Sequence, residues 1–203
     1  MIETLTMIIL CLGTLVFFIS SLVFAKIDWR QANHFNSALI VSATTAVSYA
    51  VMLAIYLGTP TTDSLSTRWL FYIISCSLLI YYIAKVLGLN NNQRISAGYL
   101  MALTMITGFV AAEVSDLWFV LVIYLIGSAF YVLALKVIWQ GKAHALAKLK
   151  PYLIYGWTGF PIVFLLSPAA FDLISLDSAL ALYLGLDIYT KIIFYKDFNH
   201  LVK

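Results

Sequence analysis

Seven apolar runs, separated by short polar breaks, dominate the chain and leave almost nothing for loops. They fall at Leu5–Ala25, Ala38–Gly58, Trp69–Leu89, Ile95–Ala112, Trp118–Ile138, Tyr152–Ser167 and Ser178–Phe194. Most approach the roughly 20 residues that an α-helix needs to cross hydrocarbon, and the last two are short. Only helices and closed barrels satisfy their backbone inside lipid, and runs of this length are helical. The residues are 63% hydrophobic and 10% charged, with a mean hydropathy of +0.97, far from a soluble composition. The expected fold is therefore an all-α membrane protein, a bundle of seven transmembrane helices. It forms a single domain over residues 1–203 and lies multi-pass in the cell membrane among lipids.

Charge placement orients the bundle. With the N-terminus outside and the C-terminus cytoplasmic, the inner loops and tail hold Lys26, Arg30, Lys85, Arg94, Lys136, Lys142, Lys148, Lys150, Lys196 and Lys203, ten of the twelve basic residues. The outer side holds Glu3, Asp63, Glu113, Asp116, Asp172 and Asp177 and no cation. This is the positive-inside pattern. Trp29, Trp118 and Trp139 lie at span ends, as an aromatic belt requires. The net charge of +3 is thus topological and is no footprint for nucleic acid. The first run has no cation before it and is too long for a signal-peptide core, so it reads as a retained helix. Cys11 and Cys76 both fall inside spans, which argues against a disulfide framework. His34, His144 and His200 lie at loops or ends, and no metal or nucleotide motif is present.

Lys191 and Asp187 are not explained by span, belt or topology. They lie four apart in the seventh run, a spacing that stacks two side chains on one helix face. A buried ammonium and carboxylate are each costly in a bilayer, and such residues usually pair and usually act. One reading is an amine held ready for a carbonyl compound as a protonated Schiff base; the other is a structural ion pair between helices. On the sixth run, Trp157, Phe160, Pro161 and Phe164 recur on one face, a pattern that core packing also produces. On the third, Arg68, Ser75, Cys76, Tyr81 and Tyr82 stand out as polar or titratable.

Together these residues resemble the microbial rhodopsins. Trp157-Thr158-Gly159-Phe160-Pro161-Ile162-Val163-Phe164 is similar to that family's sixth-helix motif, and Asp187-Ile188-Tyr189-Thr190-Lys191 to its seventh-helix Asp-x-x-x-Lys. Arg68 matches the third-helix arginine and Tyr49 the second-helix tyrosine of the counter-ion region. The resemblance implies retinal bound covalently to Lys191, with Asp187 as counter-ion. Trp157, Phe160, Pro161 and Phe164, with Tyr72 and Phe71 of the third helix, would grip the polyene. It also implies a homo-oligomer, a trimer by analogy, and a transporter or photoreceptor, not an enzyme.

Subfamily turns on the third helix. Phe71 stands where outward pumps carry an acceptor aspartate, and Ser75 where they carry threonine. Phenylalanine with serine resembles the schizorhodopsins, inward proton pumps. Those carry a glutamate where this chain has Tyr82. The expected proton pathway comprises Arg68, Tyr49, Ser75, Cys76 and Tyr82. Lys191 is five residues from Lys196, roughly 8 Å of helix, and fourteen from Asp177, roughly 20 Å. The inner exit is thus the shorter, Asp187 is the one acid placed within a span, and no acid is expected inside to trap the proton. The alternative is a photosensor whose inner lysines Lys142, Lys148 and Lys150 dock a partner. A cation or chloride pump fits less well, because Phe71 occupies a position those pumps need polar. A membrane enzyme using Lys191 without retinal is a third, weaker reading.

Overall fold

Helices account for nearly all of the computed structural model, which describes residues 2–30, 37–58 and 64–198. Five long helices come first: α1 (Ile2–Arg30), α2 (Ser37–Gly58), α3 (Ser64–Val86), α4 (Asn91–Glu113) and α5 (Leu117–Ile138). The sixth span is broken into α6 (Ala143–Pro151), a wide π turn (Tyr152–Trp157) and α7 (Thr158–Leu166). The seventh consists of α8 (Leu176–Asp187), a second π turn (Ile188–Ile193) and α9 (Phe194–Phe198). The first five spans pack in chain order, the sixth packs on the seventh and α8 returns to α1, while Tyr131 of α5 reaches the sixth span by donating a hydrogen bond to the Leu153 carbonyl.

Seven stretches are long and apolar enough to cross a membrane, among the described residues. Their outer faces carry bare hydrocarbon: Leu12, Leu15 and Phe18 on α1, Phe119, Leu125 and Val132 on α5. The centre of the ring instead buries Arg68, Asp187, Lys191, Tyr49 and Tyr72. That inside-out distribution is what a lipid solvent imposes, because ionisable side chains there face the bundle interior. Exposed Lys85, Lys136, Lys142, Lys148, Lys150 and Lys196 gather at one end, and exposed Glu113, Asp116 and Asp172 at the other. Trp118 and Trp139 sit at opposite ends of α5, as a belt requires. His144 is exposed, and Cys11 and Cys76 are free thiols. The side chains of Glu3, Trp29, Arg30, His34, Asp63, His200 and Lys203 lie outside the described residues.

Several span boundaries differ from those the hydropathy suggests. α3 starts at Ser64 and stops before Gly88, whose φ of 77° turns the chain out of the helix. Arg68 therefore lies a full turn inside α3, not at its start. α4 begins earlier than Ile95, because Asn90 and Gln93 form a reciprocal capping box that satisfies the first backbone N–H groups. The last two spans are not short. They run Ala147–Leu166 and Leu176–Asp197, taking in exposed Lys148, Lys150 and Lys196 near their lysine-rich ends. Asp177 is buried in the first turn of α8, accepting a hydrogen bond from Thr6 of α1, so Asp187 is not the one carboxylate within a span. A helix N-terminus favours that charge.

The two π turns have a local cause and a shared contact. Pro161 has no N–H to offer the carbonyl four residues earlier, and the sixth-span π turn ends at that residue, Trp157. The turns meet at Gly156, where an added Cβ would lie 2.5 Å from Thr190 Cγ2. Gly156→Ala should therefore cost about 1–3 kcal/mol through overpacking, seen as a lower unfolding temperature of the detergent-solubilised protein. An unchanged temperature would show that the two turns separate freely.

Candidate functional site

Asp187 ends α8, and Lys191 lies one turn further, inside the second π turn. Both are fully buried, and Lys191 Nζ stands 2.8 Å from Asp187 Oδ1. The contact is a buried ion pair between groups one helical turn apart. The other oxygen, Oδ2, is heavily used. It accepts from Arg68 Nη1 at 2.9 Å, Tyr72 hydroxyl at 2.7 Å and Tyr49 hydroxyl at 3.0 Å. Arg68 Nη1 also reaches both tyrosine oxygens at 3.0 Å. Two cations thus share a single carboxylate.

Aromatic rings balance part of the excess positive charge. The Arg68 guanidinium lies over Tyr183 at 4.7 Å, Tyr49 at 4.8 Å and Tyr72 at 5.8 Å, and Lys191 Nζ over Tyr72 at 4.0 Å. Desolvated cations over ring faces gain about 2 kcal/mol each. Tyr49 can reach Asp187 because it packs onto Gly13 of α1, where any Cβ would collide with its ring. Thr45, one turn from Tyr49 on α2, accepts from Lys191 Nζ at 3.2 Å and donates to Val41 carbonyl at 2.7 Å.

From Lys191 a narrow cavity of about 70 Å³ extends between α3, α4, α5 and the sixth span. Trp157, Phe160, Pro161 and Phe164 form one wall, and Tyr72, Trp69 and Cys76 the opposite one. Tyr72 meets Phe160 edge-on at 5.4 Å, and Trp69 meets Phe164 edge-on at 5.7 Å. Met101, Met105, Gly108, Gly127 and Tyr131 close the far end.

The residues singled out in the sequence divide into three groups. Arg68, Tyr49, Tyr72, Asp187 and Lys191 form one hydrogen-bonded cluster, while Trp157, Phe160, Pro161, Phe164 and Cys76 line the cavity beside it. Phe71 does neither. It is half-buried and outside the cavity wall, because one residue's rotation from inward-facing Tyr72 carries it to the edge of α3. Ser75 is buried with its hydroxyl bonded to Phe71 carbonyl at 3.2 Å, and Tyr82 lies further along α3, its ring 6.0 Å from Tyr195. Thr45, Tyr183 and Trp69 are additional. Thr45 and Tyr183 each lie four residues from a residue already singled out, so the helix-face rule alone marks them. The lysine-rich end is also not free of acid: exposed Asp197 accepts a hydrogen bond from Tyr152.

The class these features define is a seven-helix membrane protein with a buried lysine–carboxylate pair beside an aromatic-lined cavity. The family described as bacteriorhodopsin-like protein matches residues 2–195, and the chain belongs to that family. The fold is similar to the crystal structure of schizorhodopsin 4, with a TM-score of 0.82 and 33% identity over 97% of this chain and 99% of that one. The thermophilic rhodopsin from Rubrobacter xylanophilus follows at 0.81 and 20% identity, covering 93% of this chain and 92% of that one. The light-driven proton pump of Coccomyxa subellipsoidea gives 0.79 and 20%, covering 94% and 93%. At those lower identities the likeness concerns the fold. No curated protein matches the chain in sequence. It is a multi-pass membrane protein of the microbial rhodopsin type.

Asp187→Asn leaves two buried cations facing no carboxylate at this cluster. Removing one partner of a buried pair costs about 3–5 kcal/mol, so the retinal-free variant should unfold at clearly lower temperature or denaturant. A loss below about 1 kcal/mol would show that the tyrosine rings alone carry the charge.

Proposed function

We propose that the protein is a light-driven inward proton pump, a single retinal-binding domain with retinal attached to Lys191 as a protonated Schiff base and Asp187 as counter-ion. The residues fit such a group. A largely apolar, aromatic-walled cavity is lined by Lys191, whose Nζ is ion-paired at 2.8 Å with the buried Asp187 Oδ1. When bound, retinal would supply light absorption and isomerisation.

The chain's own residues would do the rest. Trp157, Phe160, Phe164 and Tyr72 hold the ligand along the cavity and exclude water from it. Asp187, anchored through Oδ2 by Arg68, Tyr49 and Tyr72, is the counter-ion that faces the Lys191 nitrogen. A proton leaving that nitrogen meets no acceptor carboxylate on α3, because Phe71 occupies the position and faces away from the cavity. The single observation that carries direction is this missing acceptor, set beside the short distance from Lys191 to the lysine-rich end at Lys196. With that end cytoplasmic, the proton departs inward and is replaced from the other side along Arg68 and Asp187. Likeness to schizorhodopsin 4 supports the same reading.

Lys191→Ala should insert and fold yet show no visible absorption band after retinal is added. A coloured Lys191→Ala protein, with no amine supplied, would sink the attachment site. For direction, retinal-fed cells expressing the protein should alkalinise an unbuffered medium on illumination, with the signal abolished by a protonophore. Acidification would refute inward transport. No pH change, with a photocycle slower than about a second, would favour a photosensor, whose active state must outlast large conformational motion.

A further inference from the structure

The seam between α2 and the seventh span carries a series of polar contacts that continues past the site. Tyr49 bonds Asp187 at 3.0 Å, Lys191 bonds Thr45 at 3.2 Å, and Tyr195 donates to Ser37 at 3.1 Å. The two helices run antiparallel, so four residues back along α2 match four forward along the seventh span. The first two contacts keep that register, and the third lies one turn further on, at the lysine-rich end. Between the second and third, Ser42 is fully buried and its Oγ has no hydrogen-bond partner. The inner half of α3 opposite presents buried Leu79, Ile80, Ile83 and Ala84. Beyond Cys76, α3 also carries Ser77, whose buried Oγ has no hydrogen-bond partner, and half-buried Tyr82, but the hydroxyls that bond across to the seventh span come from α2.

We propose that a proton leaving the Lys191 nitrogen travels along this seam, with Thr45 as its first station and the Tyr195–Ser37 pair as its last. The inference rests on the inward-transport reading above and names the residues of its exit. A buried hydroxyl such as Ser42 that lacks a protein partner is where water belongs, because an unsatisfied polar group in an apolar interior is costly. Water held by Thr45, Ser42 and Ser37 links the stations. The N–H bond at Lys191 breaks as an O–H bond forms on the water at Thr45. Each oxygen along the seam then gains one proton and passes one on, so one proton moves and no electron does. Tyr195 is the closing element. Its ring is wedged against Phe194 at 5.3 Å, Phe24 at 5.9 Å and Tyr82 at 6.0 Å, which fixes the hydroxyl on Ser37.

The test uses the full chain regenerated with retinal in vesicles, flash excitation, and a pH dye on the lysine-rich side. Each variant is first checked for its dark visible band, so that only folded pigments are compared. Thr45→Val should delay proton arrival about tenfold, and Thr45→Ser should restore it to within about twofold, as loss and return of one hydrogen bond at the first station predict. Ser37→Ala and Tyr195→Phe should each slow arrival without moving the dark absorption maximum, with a larger delay in heavy water. Unchanged arrival times in Thr45→Val and Tyr195→Phe pigments that still pump inward would overturn the route. So would a delay produced by Tyr82→Phe and absent from Thr45→Val, which would return the path to α3. Failure of the unaltered protein to pump inward is a separate result, read from the sign of its own signal, and it overturns the transport reading and this exit together.

Discussion

Two cations around one carboxylate, all buried at the centre of a membrane bundle, set the terms for everything else in this molecule. Taking Arg68, Lys191 and Asp187 out of water is affordable only if every lone pair and most donors find partners. Although Arg68 Nε and Nη2 have no hydrogen-bond partner, the surrounding structure supplies part of this from several helices at once: Tyr49 and Thr45 from α2, Tyr72 from α3, and Tyr183 from α8. Their hydroxyls and ring faces solvate the charges in place of water. The cluster therefore ties α2, α3 and the seventh span together by electrostatics where lipid offers no hydrophobic drive for helices to associate.

The irregular backbone lies beside the same cluster. Lys191 lies inside a π turn, and the facing sixth span has a second π turn that packs against it through Gly156. Widened turns inside helices commonly mark functional positions. Here they bring Thr190 and Trp157 to the cavity wall beside the lysine. The cavity is asymmetric: aromatic toward the sixth span, and bounded by Met101, Met105 and Gly108 toward α4.

Much of the site was legible in the sequence because helical spacing is a rigid ruler. Asp187 and Lys191 at four apart, and Trp157, Phe160, Pro161 and Phe164 at three, four and seven, had to share faces whatever the packing. Phe71 shows the ruler's limit. It neighbours Tyr72 in sequence, yet the helical rotation between them leaves one half-buried at the edge of α3 and the other bonded to Asp187. Asp197 and Asp177 show another limit. Both were in plain view as residues, but their hydrogen bonds to Tyr152 and Thr6 depend on contacts between distant segments.

The sequence by itself determined seven membrane-crossing helices, the segregation of lysines to one end, and a lysine stacked one turn from an aspartate within the last span. These follow from hydropathy, charge placement and a period of 3.6 residues, all of which are local. Only the tertiary structure decided that Arg68 shares the Asp187 carboxylate, that Thr45 touches Lys191, and that the inner polar seam runs along α2. The reason is that lipid leaves helix rotation and depth undetermined by burial alone. Both were fixed by pairing a few buried polar atoms across helices, and those pairings join residues 119 to 158 positions apart in the chain.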